Sequence, residues 1–146
     1  MRIEVDVAQL ERNLAAYLAG RLGMTVDEDL FRGGIPDGVA EGLAVLVGQE
    51  KNTASRSVAI YELHTLARTF AMQVIGKFDD RDEAWAMATL LRDLFPVWNE
   101  SMQDYTIVSL VPGGDSFVYP SADGGAVKHN LSVNLTICVV PKTGTP

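Results

Sequence analysis

The sequence predicts an α+β domain: two amphipathic helices packed on one face of a mixed or antiparallel sheet of four to five strands, in the order α-β-β-β-α-β-β. Three observations predict it. Leu131, Val133, Leu135, Ile137 and Val139 occupy every second position, with Ser132, Asn134, Thr136 and Cys138 between them. Side chains alternate faces along a strand, so Leu131–Val140 is a strand with one oily face and one small, uncharged polar face. Two further stretches carry apolar residues at helical spacing behind acidic N-cap signals. The 146 residues suffice for one domain with its own core, and 1–146 is read as a single unit with a short polar tail at 142–146.

Each element has its own signal. Asp6 followed by Gln9 reads as an N-cap with a capping-box partner. Val7, Leu10, Leu14, Tyr17, Leu18 and Leu22 then recur on one helical stripe up to Gly23, a left-handed stop. Gly33-Gly34 and Ile35-Pro36-Asp37-Gly38 mark turns, with a short strand expected before them at Leu30-Phe31. The apolar run in Gly42–Gln49 is bounded by glycine and too short for a helix, so it reads as a strand. Glu50–Ser57 is a polar loop or hairpin tip, and Val58–Leu63 fits either strand or loop. Thr69–Phe78 alternates again, with Phe70, Met72, Val74 and Phe78 opposite Gln73 and Lys77.

Asp80 with Glu83 repeats the capping-box signature, placing acids at the positive end of a second helix. Its stripe is Ala84, Met87, Ala88, Leu91, Leu94 and Phe95, and Pro96 ends it. Trp85 lies off this stripe and reads as a stripe-edge core residue in preference to a partner contact. A strand follows at Tyr105–Val111, then a turn at Pro112–Asp115 and a short apolar piece at Phe117–Tyr119. A second loop is expected from Pro120 to Gly125, before the closing strand that Pro141 stops.

Composition narrows the function. The formal charge is −7, and the 12 basic residues are scattered singly, so no basic stripe is available to neutralise phosphates. A single cysteine, Cys138, excludes an intrachain disulfide and fits a reducing compartment. No apolar run approaches the roughly 20 residues that span a bilayer. Met1–Asp6 has no apolar signal-peptide region.

The chemistry-bearing residues read blandly. His64 and His129 are too few for a zinc site that wants three or four ligands. Asp79, Asp80, Asp82 and Glu83 lack the spacing of a calcium loop, and helix capping accounts for them. Cys138 on a regular strand reads as a small filler. The glycine pairs at 33–34, 113–114 and 124–125 lack phosphate-loop spacing, and no serine sits in a G-x-S-x-G frame. No cofactor or metal is expected, and no enzyme.

A G-G-I-P-D turn (Gly33 to Asp37) follows the first helix. The second helix reads D-x-x-E-A-x-x-x-A-x-x-L-x-x-L from Asp80, a Gly-Asp-Phe-like loop follows at Gly114, Asp115 and Phe117, and the last strand reads N-L-S-V-N-L-T-I from Asn130. This arrangement resembles the tail terminator and minor capsid proteins of tailed bacteriophages. The resemblance implies a non-enzymatic virion protein, made in the bacterial host cytoplasm, that forms a ring, commonly a hexamer. The ring caps the head-proximal end of the tail tube, stops its polymerisation and meets the head connector. DNA passes through its lumen without specific binding, which a net negative charge suits. Ring closure needs two different patches on each subunit. Loops 50–57 and 112–125 are the expected reach to a neighbour, with Lys51, Asn52, Arg56, Gly114, Asp115 and Tyr119 as interface residues. Two other readings stay open: a head–tail connector or other neck protein, and a small-molecule binding module or enzyme.

Overall fold

A computed structural model describes residues 5–51, 67–123 and 126–142, with only the backbone of Ala122, Asp123 and Ala126. The described residues form nine elements: α1 (Val7–Leu22), β1 (Leu30–Arg32), β2 (Gly42–Glu50), β3 (Arg68–Phe78), α2 (Arg81–Leu94), β4 (Val97–Ser101), β5 (Tyr105–Pro112), β6 (Phe117–Asp123) and β7 (Ala126–Pro141). The class is α+β, as the two periodicities require. The sheet has seven strands, not four to five, because β4 and β6 both join it.

α1 begins where Asp6 accepts from the amides of Ala8 (3.0 Å) and Gln9 (3.3 Å). Gln9 does not close a capping box on Asp6; its Oε1 accepts from the Tyr105 hydroxyl at 2.9 Å and ties the helix to β5. Gly23, at φ 71°, ends α1 in the left-handed conformation that glycine adopts without a Cβ clash. Leu10, Leu14 and Leu18 are fully buried, each contributing about 1.5–3 kcal/mol of apolar burial. α2 is capped by Asp80, which accepts from Asp82 N, and a cis Phe95–Pro96 bond leads from it into β4.

β7 is the spine of the sheet. Along one edge it pairs antiparallel with β3, from Phe78↔His129 to Arg68↔Val139. Along the other it pairs first with β6 (Asp123↔Ala126 to Phe117↔Ser132), then with β5 (Pro112↔Leu135 to Tyr105↔Pro141). The order is β1-β2-β3-β7-β5-β4, with β1 parallel to β2. Strand β7 thus starts earlier than the alternation suggests, and the loop expected at Pro120–Gly125 is strand as far as Asp123. A proline is tolerated in β6 because, among the described strands, β6 pairs only with β7.

Residues opposite one another in the ladder share a face. Val45, Val74 and Val133 form one apolar row, and Phe70, Ile137, Leu110 and Val97 another. Both helices bury their stripes on this one face, in a single cluster that joins Leu10, Leu14 and Leu18 to Ala84, Ala88 and Leu91. Among the described residues, the opposite face of the sheet carries no helix. The segment Glu50–Ser57 lies outside the described residues beyond Lys51, and so does Val58–Leu63.

Candidate functional site

The face opposite the helices presents the small polar residues that the alternation of β7 predicts. Gln73 Nε2 donates to Ser132 Oγ (2.8 Å) and Asn134 Oδ1 (3.1 Å), so the amide bridges two positions of the spine. Lys51 Nζ donates to Thr136 Oγ1 at 2.9 Å. Cys138 lies in the same row, and burial pushes its thiol above the ordinary range, with a Thr69 hydrogen bond opposing the shift. That leaves less thiolate than a free cysteine has, the reverse of what a nucleophile needs. From β2 across β3 and β7 to β5, the residues that alternation places here include no carboxylate, although the chain is acidic.

The sheet is broken along the outer edge of β7. Four residues, Gly113 to Ser116, connect β5 to β6 across a stretch where the spine has only Val133 and Asn134. The surplus chain bows out as a bend, pinned by Gly113 N donating to Asn134 O at 2.8 Å. A Cβ on Gly113 would lie 3.0 Å from Thr136 Oγ1 and 3.2 Å from the Leu135 carbonyl carbon, so the bend sits this close only because the residue is glycine. Thr136 is also the acceptor for Lys51, so the structure brings Lys51 and the bend together on one residue of β7.

Between this bend and α2 lies a cleft of about 720 Å³ whose lining includes Val133, Phe95 and Pro112. Trp85, 38% exposed, and Phe117, 55% exposed, line its mouth. Trp85 is therefore not the core residue the sequence suggests: the helix stripe faces β7, but beside it the sheet is interrupted and the residue stays part-exposed. Arg92, Asp93 and Asp115 line the same cleft, and among the described residues none of them makes a hydrogen bond or ion pair.

A second cleft, of about 550 Å³, lies at the other end of β5, between α1 and the β4–β5 turn. Its wall is built by Asn13, 6% exposed, which accepts from Asp104 N (2.6 Å) and donates to Asp104 Oδ2 (2.8 Å) and Gln9 O (2.9 Å). Arg12 lines this cleft, exposed and, among the described residues, without an ion pair or hydrogen bond.

Of the expected interface residues, Gly114 and Asp115 sit on the bend, and Tyr119 stands on β6 opposite Asn130, 48% exposed. Lys51 meets the bend through Thr136, while Asn52 and Arg56 lie outside the described residues. Sequence reasoning missed Arg92, Asp93 and Phe117 as cleft residues. The one available signal was Trp85 lying off its helix stripe.

The remaining polar candidates form no site. His129 faces Phe78 and Pro120 across the ladder, its Nδ1 buried and, among the described residues, without a hydrogen-bond partner; His64 lies outside the described residues. In the acidic run Lys128 pairs with Asp79, and Asp79 N donates to Glu41 Oε2 at 3.0 Å. Glu83 is held above the usual carboxylate range, first by the charge of Glu41 and then by a hydrogen bond to it. Among the described residues no group of three His, Cys, Asp or Glu side chains is placed to hold a metal ion. None of the helices described is long and apolar enough to cross a membrane. No family model matches the chain, and neither does any curated protein.

Proposed function

We propose that this chain is a non-enzymatic assembly subunit, a phage tail terminator that closes into a ring, caps the tail tube and faces the head connector. One observation carries the reading: the two ends of β5 bear different, unsatisfied surfaces, an aromatic-rimmed bend at one end and a polar cleft at the other. A subunit with two unlike patches assembles head to tail, and such contacts close into rings when the rotation permits. The carboxylate-free sheet face is a third surface, suited to a tube or connector partner. The element order and the motifs around Gly33, Asp80, Asp115 and Asn130 turn assembly in general into the tail terminator in particular.

The test is electron microscopy of tail tubes assembled from the tube protein of the same phage genome, with this chain added and gold-labelled. Label at one tube end, with elongation stopped there, is the expected result. Label along the tube wall, or none, overturns the reading, and label at the portal of whole virions selects the connector role instead.

A further inference from the structure

We infer that the helix-free face of the sheet is a platform for single-stranded nucleic acid, with bases stacked on Phe117 and Tyr119 and the backbone led along β7 past Lys77 and Lys51. The inference goes beyond the ring reading, and the two stand or fall separately. The register gathers what the sequence scatters. Phe117 lies opposite Ser132 and Tyr119 opposite Asn130, so both rings share the small polar face. Trp98 joins them, through Ser109 to Cys138. Among the described residues these are three of the four exposed aromatic side chains, Trp85 being the fourth, and such a collection on one face marks an interaction surface.

Cations share this face. Lys77 is opposite Asn130, Lys128 is opposite Ser121, and Lys51 donates from its backbone N to Thr69 O (2.7 Å) and from Nζ to Thr136. Asp79 and Asp115 stand beyond the strand ends, and Asp79 pairs with Lys128. Three lysines against one paired carboxylate leave the face positive in a chain of formal charge −7, which suits a phosphate backbone. The rings decide which polyanion. Tyr119, Asn130 and Lys77 form one row across β6, β7 and β3, with neighbouring strands about 4.8 Å apart. That row offers a ring for a base, an amide for its edge and an ammonium for its phosphate. Asn130 gives its Nδ2 to Ser121 Oγ at 2.7 Å, which leaves Oδ1 as the acceptor. Phe117, two residues or about 7 Å further along β6, is a second ring for the next base. Lys51, about 20 Å along the spine at Thr136, meets a later phosphate. Any polyanion can use the lysines, but only a single strand has unpaired bases to lay on the rings. Stacking and phosphate contacts do not read the sugar, so DNA and RNA strands should bind alike.

The test is fluorescence anisotropy of a labelled oligo-dT strand of about 12 nucleotides, titrated with the full chain between about 20 and 200 mM salt. Two to three phosphate contacts predict a slope of log K against log salt of about −1.4 to −2.1. F117L/Y119L keeps apolar bulk at two exposed positions but removes the rings, and K51Q removes one exposed cation; unchanged thermal melts verify that both variants fold. The first is expected to weaken binding at least about fivefold, and the second to flatten the slope by about 0.7. No binding at about 20 mM salt overturns the inference, and so does binding that F117L/Y119L retains in full. Displacement by poly-glutamate as effective as displacement by unlabelled strand, or equal binding of the duplex, also overturns it, since either means that the rings take no part. None of these outcomes bears on ring assembly.

Discussion

Asn13 shows how a single side chain ties distant parts of this molecule together. It is buried on a helix face otherwise lined with leucine, an expensive place for an amide unless every polar atom is matched. Its three hydrogen bonds to Gln9 and Asp104 meet that condition, and they clamp α1 to the turn that starts β5. Asn13→Ala leaves the Asp104 amide without its acceptor, so the protein should lose about 1–3 kcal/mol. Urea unfolding at neutral pH reads this as a lower midpoint with an unchanged slope. Nothing in the sequence marks Asn13 as special, because its partner lies 91 residues away. Trp85 and Pro120 misled for the same kind of reason. Whether an off-stripe indole is covered depends on whether the neighbouring strands are continuous, and whether a proline sits in a strand depends on which edge that strand exposes.

At the scale of elements, capping signals and period were legible because they are local. Both helices start at the aspartates that announce them, and β3 alternates as its pattern reads. The two missing strands are those without clean alternation: β4 is interrupted by Asn99 at φ 54°, and β6 contains Pro120. These features also weaken both strands as templates for edge pairing. The start of α2 carries a measurable cost. With its folded pKa raised by Glu41, Glu83 holds its proton more tightly in the native state than in the unfolded chain. Its contribution favours folding below the ordinary carboxylate range and is lost as pH rises through the raised value, where two carboxylates repel. Glu41→Gln keeps an oxygen for Asp79 N and removes the repulsion. The variant should melt above the parent at pH 7, with the gap closing as pH falls below about 4. An NMR titration should show the Glu83 pKa falling in the variant.

Across the whole molecule, the architecture divides labour. One sheet face and two helices form the core that stabilises the fold, and the long β7 carries everything exposed on the other side and along its edges. The small polar row of β7 was legible from Leu131–Val140 alone. The clefts were not, because they arise where β5, β6 and α2 meet around a bend whose surplus residues appear only once the register is known. We propose that these surfaces drive closed, head-to-tail self-assembly. Native mass spectrometry of the purified chain tests it most directly. One dominant closed species is expected at a fixed multiple of the 15.8 kDa chain, six copies being the order the phage resemblance implies. A monomer at every concentration, or an open-ended ladder of masses, would contradict it.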